Sequence, residues 1–160
     1  MGLTYGVADC SLTGNNCELC AVKVMCPDGF GTVSGVIAGI EHAVANCLAN
    51  NSKCVVNLSL GGGFSQTLND AVNNAVNSGL HMVVAAGNSN STAACTRSPA
   101  SAELAITVGA TTPNDERAFF SSYDECVDVY APGVGITSGS TTNDDSATIC
   151  DGTSMAVPRK

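Results

Sequence analysis

Two stretches of the chain have apolar residues at helical spacing. Between Thr32 and Leu48, apolar residues recur at three- and four-residue steps, which is the spacing of one face of an amphipathic helix. That face consists of Val33, Val36, Ile37, Ile40, Val44 and Leu48. A second helix is predicted from an N-cap at Ser65 to about Asn77, and Gly79 follows as its stop. Its inward face consists of Leu68, Val72, Ala75 and Val76.

Shorter apolar runs between and after these helices have the length and composition of β-strands. They are Cys54–Leu60, His81–Ala86, Leu104–Ala110 and Val127–Tyr130. Because apolar strands alternate with helices, we predict a parallel sheet that helices cover on both faces, a three-layer α/β fold. Function collects at the carboxyl ends of such strands, so the glycine-terminated ends at Gly61 and Gly87 mark the expected site. The polar stretch from Gly139 to Ser146 is predicted to be a surface loop.

Composition and charge restrict the classes of protein and partner. With 160 residues, 44% hydrophobic and 12% charged, the chain fits a single globular domain over residues 1–160. A net charge of -8 disfavours nucleic acid and anionic membrane surfaces as partners. No run approaches the roughly 18 apolar residues that a membrane span needs, so we expect no membrane partner. The sequence carries no signature of the oligomeric state.

Nine cysteines between Cys10 and Cys150 are typical of a disulfide framework in an oxidising compartment, and we expect a secreted or extracellular protein. A zinc site at Cys17-x-x-Cys20 is the alternative, although no histidine adjoins it. Because nine is odd, at least one thiol is free or pairs outside the chain. The first residues do not resemble a secretory signal, so we expect a segment of a longer protein, truncated at both ends.

Nucleophile chemistry is indicated by Gly152–Pro158, which reads G-T-S-M-A-V-P. A serine in the first turn of a helix exposes its hydroxyl, and its backbone N–H points to where an oxyanion would form. Ser154 is a candidate nucleophile on the strength of the family resemblance given below. Because residue 156 is alanine, this motif differs from the G-x-S-x-G elbow of α/β hydrolases. An ordinary serine that caps a helix is the alternative interpretation.

Three further segments place small or amide residues at predicted strand ends. Val83–Asn88 (V-V-A-A-G-N) delivers Asn88 to the carboxyl end of a buried strand, and an asparagine that ends a strand through a local turn is the alternative interpretation. Asn57–Gly63 (N-L-S-L-G-G-G) ends in glycines that a peptide backbone can approach closely. Gly29, Phe30 and Gly31 precede the first helix.

Taken together, these motifs resemble those of the subtilases, the subtilisin-like serine peptidases, and most closely the proteinase K-like branch. Further matches in the same order and spacing are Ser98–Ser101, Val108–Ala110, Phe120–Tyr123 and Ala131–Gly133. The resemblance extends from about Tyr5 to Pro158. It implies a serine endopeptidase of subtilisin-like α/β fold that cuts peptide or protein substrates without a required cofactor.

The resemblance also implies a role for each matched residue. Ser154 would attack the scissile carbonyl and form an acyl-enzyme that water resolves, and Asn88 would donate its amide to the oxyanion. The walls of the substrate site would be Ser59, Leu60, Gly61 and Gly87 on one side and Gly29, Phe30 and Gly31 on the other. A pocket walled by glycine suggests tolerance of large apolar substrate side chains.

The sequence departs from the subtilase pattern at the other two members of the triad. Subtilases carry an aspartate and then a histidine before the serine, and neither motif is present. The two histidines, His42 and His81, lie on a predicted helix and at the start of a predicted strand, in contexts that do not match. We therefore expect this chain alone to be inactive. There are two alternatives: a non-catalytic product that at most binds peptides, and a cysteine-rich module without enzymatic ancestry.

One metal site follows from the same resemblance. Asp128 matches a family calcium ligand, which backbone carbonyls at Glu103 and Ala105 would join. Calcium takes such oxygen ligands readily. An exposed aspartate in a solvated loop accounts for Asp128 equally well, so a structural calcium ion is a hypothesis that rests on a single carboxylate.

Overall fold

The structure is a computed structural model that describes residues 20–51, 53–90, 92–140 and 146–159. It has three α-helices in these ranges: α1 (Val33–Ala49), α2 (Gln66–Asn77) and α3 (Thr153–Ala156). The strands are β1 (Val55–Leu58), β2 (Gly62–Gly63), β3 (His81–Ala85), β4 (Arg97–Ser98), β5 (Ile106–Thr111), β6 (Val129–Pro132), β7 (Ile136–Gly139) and β8 (Ala147–Cys150). Short 3-10 turns cover Ala94–Thr96 and Val157–Arg159.

A four-stranded parallel sheet in the order β1-β3-β5-β6 forms the middle layer. Successive side chains of β3 point to opposite faces of this sheet. Met82 and Val84 pack into the core that α1 and α2 cover, while Val83 and Ala85 pack into the core with Ala156 of α3. The predicted three-layer α/β fold, with parallel strands between helices, is thereby confirmed.

Both long helices begin as the sequence indicates. Thr32 and Ser65 are the N-caps of α1 and α2, and each hydroxyl accepts a hydrogen bond from a backbone N–H three residues later. Gly79 follows α2 with a positive φ of 99°, which favours glycine. The predicted inward face of α1 is wrong at its two ends, where Val33 is 45% and Leu48 60% exposed. Both residues lie at the helix ends, beyond the buried part of the core.

Four short strands were absent from the predicted set. β2 pairs with β4, and β7 pairs with β8, each as a two-stranded antiparallel ladder. β2 consists of two glycines, and β7 and β8 lie at the surface, so none of them carries the apolar run of a buried strand. Part of the predicted 139–146 surface loop joins β7 to β8, and its residues 141–145 lie outside the described residues.

Two disulfides join described cysteines, Cys47 to Cys54 and Cys95 to Cys126. The first links the end of α1 to the approach to β1. In the described ranges Cys20, Cys26 and Cys150 have free thiols. Cys10 and Cys17 lie outside those ranges, so the zinc alternative stays a prediction.

No described helix has the length and apolar character needed to cross a membrane. The single described cluster of metal-ligand types, Cys95, Asp124 and Cys126, contains two cysteines that are joined to each other. Those sulfurs are oxidised, and metal-binding cysteines coordinate as thiolates.

Candidate active site

A cleft of about 300 Å³ opens at the carboxyl ends of β1 and β3. Its walls come from three parts of the chain that the sequence analysis singled out: Ser59–Gly61 after β1, Gly87 and Asn88 after β3, and Ser154 in α3. Parallel strands bring their carboxyl ends to one edge of the sheet, which is why segments almost 100 residues apart in sequence meet here.

Ser154 lies in the first turn of α3, and its side chain is half-buried. Its hydroxyl donates a hydrogen bond to the backbone carbonyl of Ser59 at 3.1 Å. In the opposite direction, the Ser59 hydroxyl donates to the Ser154 carbonyl at 2.9 Å. This reciprocal pair fixes the start of α3 against the end of β1.

Asn88 is held in place by Thr153, which is fully buried. The Asn88 Oδ1 atom accepts hydrogen bonds from the backbone N–H of Thr153 at 2.8 Å and from its hydroxyl at 3.0 Å. The Thr153 hydroxyl in turn accepts from the backbone N–H of Gly87 at 3.2 Å. Because Oδ1 takes both donors, the Nδ2 group of Asn88 points away from this network, and it has no hydrogen-bond partner among the described residues.

The Asn88 amide nitrogen and the Ser154 backbone nitrogen both lie near Gly152. A Cβ atom built on Gly152 would lie 3.5 Å from Asn88 Nδ2 and 3.7 Å from Ser154 N. The Met155 sulfur would lie 3.4 Å from the same Cβ, and Gly152 is buried. The Asn88 amide nitrogen and the Ser154 backbone nitrogen therefore lie close to one another beside Gly152, in two residues that line the cleft.

The loop before α3 is held by the segment that follows β6. Gly152 donates its N–H to the Gly133 carbonyl at 2.8 Å, and Asp151 accepts from the Gly135 N–H at 2.7 Å. A Cβ atom at Gly133 would lie 2.8 Å from the Gly152 carbonyl oxygen and 2.6 Å from Ala110 Cβ. The Ala131-Pro132-Gly133 motif thus permits the close approach that places Ser154.

The opposite wall of the cleft is only partly formed by the predicted glycine segment. Gly29 lines the cleft together with Met25. Phe30 and Gly31 do not line it: the Phe30 side chain is 76% exposed, and Gly31 packs on Met25, whose sulfur would lie 2.6 Å from a Cβ there. These two residues follow Gly29 directly but lie outside the cleft lining, and they are called its rim below.

Neither histidine lies near Ser154, as the sequence analysis expected. His81 is exposed at the amino end of β3, about 13 Å along the strand from Ala85 in the cleft wall. His42 is exposed on α1, on the opposite face of the sheet from α3. A hydrogen bond from the serine hydroxyl to either imidazole, which requires about 3 Å, is therefore not formed.

Asp128 lies away from the cleft, just before β6. Its Oδ2 atom accepts a hydrogen bond from the backbone N–H of Thr107 at 2.7 Å, and its own N–H donates to the Thr107 carbonyl at 3.0 Å. The side chain is exposed and lies beside β5, which follows Glu103 and Ala105.

Two residues in or beside the cleft were missed at the sequence level. The sequence marks Thr153 only as a member of the serine motif, whereas in the structure it orients Asn88. Arg97 also lines the cleft, and its position directly before the Ser98-Pro99 motif was the available signal. A side chain that acts by orienting a neighbouring side chain cannot be recognised from a sequence motif alone.

The fold and the site define a class: an α/β protein with a parallel sheet whose carboxyl edge holds a serine at a helix start, an asparagine beside it and a cleft between them. The sequence profile of the subtilase family matches residues 6–159. This chain belongs to the subtilase family.

Similar proteins agree with this assignment. The chain is 49% identical to the subtilisin-like serine protease pepC of Aspergillus niger, over 98% of this chain and 30% of that protein. It is 50% identical to the subtilisin-like serine protease Rho m 2.0101 of Rhodotorula mucilaginosa, over 96% of this chain and 44% of that protein. The crystal structure of a cold-adapted subtilisin-like serine proteinase superposes with a TM-score of 0.77 at 43% identity, over 85% of this chain and 48% of that one. The chain thus spans about a third to a half of these relatives.

Proposed function

We propose that the chain is the nucleophile-bearing segment of a serine endopeptidase, with Ser154 as nucleophile and peptides or proteins as substrates. The observation that carries this proposal is the proximity of Asn88 Nδ2 and the Ser154 backbone nitrogen beside Gly152, in two residues that line the cleft. Two N–H donors in that arrangement would stabilise the oxyanion that forms when Ser154 attacks a peptide carbonyl. The acyl-enzyme formed with Ser154 would then be resolved by water.

The cleft would bind the substrate side chain next to the scissile bond. Ser59, Leu60 and Gly61 would form one wall and Gly87 the floor beside Asn88, while Gly29 closes the far side. Phe30 and Gly31 would contact the substrate backbone from the rim rather than from the cleft. This chemistry is proposed to need no cofactor, because a serine nucleophile, a protein base and oxyanion donors are all amino-acid groups.

The isolated chain is proposed to be inactive. The Ser154 hydroxyl donates to a carbonyl, which cannot take its proton, and both histidines lie elsewhere in the fold. A serine without a base is a weak nucleophile at neutral pH. The alternative is a non-catalytic chain that only binds peptides. The same cleft supports it, because peptide binding does not require a histidine.

A fluorophosphonate probe, which labels activated serines, tests this proposal. We expect no label on the folded 160-residue chain. We expect label at Ser154, located by mass spectrometry, in a chimera in which residues 6–159 replace the matching segment of the Aspergillus niger relative. Label on the isolated chain would contradict the proposed inactivity, and an unlabelled but folded chimera would contradict the assignment of Ser154.

The chain is proposed to act outside the cell or in a comparable oxidising compartment. The two disulfides support this, because cytosolic thiols are kept reduced. The relatives are fungal serine proteases by name. A net charge of -8 argues against nucleic acid or an anionic membrane as a partner.

A structural calcium ion at Asp128 is a separate proposal. The Asp128 Oδ2 atom is engaged by Thr107, which leaves Oδ1 for a cation beside the turn that contains Glu103 and Ala105. These oxygen donors fit calcium, which would tie this turn to the start of β6.

Thermal unfolding with calcium and with a chelator tests that proposal. At a calcium concentration about 100 times the dissociation constant, we expect a stabilisation of about 2.7 kcal/mol, seen as a higher Tm. Asp128→Asn removes the charge at the same size and should abolish the calcium response, whereas Asp115→Asn, exposed in another turn, should keep it. An equal response in both variants would contradict a site at Asp128.

A further inference from the structure

Of the residues that the structure describes, Arg97 is the one charged residue that lines the cleft. It lies in β4, where it pairs with Gly63 across the short antiparallel ladder. Its carbonyl accepts hydrogen bonds from the Ser101 N–H at 2.9 Å and the Ser101 hydroxyl at 2.6 Å. The backbone of Arg97 is therefore fixed independently of its side chain.

Most N–H donors of the Arg97 guanidinium have no hydrogen-bond partner among the described residues. Its Nη2 atom donates to the Ser89 hydroxyl at 3.2 Å, next to Asn88, and in the described residues this is its one hydrogen bond. A guanidinium carries five N–H donors in a planar fork that matches a carboxylate. Among the described residues no aspartate or glutamate lines the cleft to pair with it. Within that part of the chain the positive charge thus has no counter-charge inside the cleft.

We propose that Arg97 makes this cleft select a peptide side chain that ends in a carboxylate, glutamate above all, at the residue whose carbonyl Ser154 would attack. This inference rests on the proposed function and names its substrate class. It replaces the expectation of large apolar side chains, because a half-buried guanidinium in the wall would be desolvated by them without a compensating hydrogen bond.

The net charge of the chain repels the carboxylate of an acidic peptide, whereas Arg97 in the cleft attracts it. The net charge of -8 repels an acidic peptide at long range, and physiological salt screens that repulsion beyond about 8 Å. A contact within the cleft is screened much less. The preference should therefore be measured at 0.15 M salt or so, where the local contact dominates.

Peptide binding to the intact 160-residue chain tests this proposal without requiring catalysis. The probes are acetylated tetrapeptide amides that differ only in their last residue, which is glutamate, glutamine or leucine. Dissociation constants come from NMR titration of the isotope-labelled chain. We expect the glutamate peptide to bind about five- to tenfold more tightly than the glutamine peptide, the range for a charge-assisted contact at a half-buried site.

Three variants separate the guanidinium from the overall charge. Arg97→Gln should equalise the glutamate and glutamine peptides and leave the leucine peptide bound. Arg97→Lys should keep part of the preference, since a point charge remains without the fork. Lys53→Gln, which removes an exposed charge that does not line the cleft, should keep all of it.

The outcomes distinguish this inference from the proposed function. Binding of the leucine and glutamine peptides without any gain for glutamate would overturn the role of Arg97 alone. A preference that survives in Arg97→Gln would do the same. If no peptide binds to the folded chain, the proposed peptide-binding cleft fails, and the inference fails with it.

Discussion

Ser154→Ala should lower the turnover number of the Aspergillus niger chimera by about 10⁶-fold, the scale found when the nucleophile of a member of this family is removed. The substitution deletes one hydroxyl whose hydrogen bond goes to the Ser59 carbonyl. That carbonyl lies at the edge of an open cleft, where water can replace the lost donor. The fold should therefore survive, and the loss should fall on the chemistry. Turnover of a peptide substrate is the measurement.

Two controls make this result specific. Ser78→Ala removes an exposed hydroxyl at the end of α2, which donates to the Asn74 carbonyl far from the cleft, and should leave turnover unchanged. In the isolated chain, Ser154→Ala should leave peptide affinity within about twofold, because the hydroxyl forms only a small part of the cleft. A chimera that keeps more than a hundredth of its turnover without Ser154 would show that another group is the nucleophile.

The large elements of this fold could be predicted because local rules and tertiary packing agree in them. Caps at Thr32 and Ser65, and the glycine after α2, are chemical signals that act within one turn. The apolar run of β3 is buried on both faces, so composition alone identifies it. The β2–β4 and β7–β8 ladders are held by pairing between distant segments, and their own residues carry little hydrophobic signal.

The site was predictable to the extent that its residues belong to motifs. Ser154, Asn88 and the Ser59–Gly61 loop meet as expected, because strand ends of a parallel sheet share an edge. The roles of Thr153 and Gly133 depend on contacts with residues more than 15 positions away in the sequence. A sequence motif identifies such a residue but does not indicate which distant residue it contacts. The position of Arg97 in the cleft could not be predicted for the same reason, because it depends on the pairing of β2 with β4.

Asn88→Ala should lower the turnover number of the chimera by about 10²- to 10³-fold, the loss found for such a donor in a member of this family. Its Nδ2 group is the part that would reach the oxyanion, while Oδ1 accepts from Thr153. Alanine deletes both functions. It leaves the buried Thr153 hydroxyl without its acceptor, so some loss of stability should accompany the loss of turnover.

Asn88→Asp separates those two functions, because it keeps an oxygen that accepts from Thr153 but replaces the Nδ2 donor with a second acceptor. We expect stability closer to that of the parent, since both Thr153 donors retain a partner. Turnover should fall at least as far as in Asn88→Ala, because a carboxylate facing the oxyanion repels it. Affinity for a substrate peptide should change little in either variant, as the donor acts on charge that develops in the transition state. If Asn88→Asp kept most of the turnover while Asn88→Ala lost it, Asn88 would serve to position Thr153 and the start of α3, and the oxyanion donor would have to be sought elsewhere.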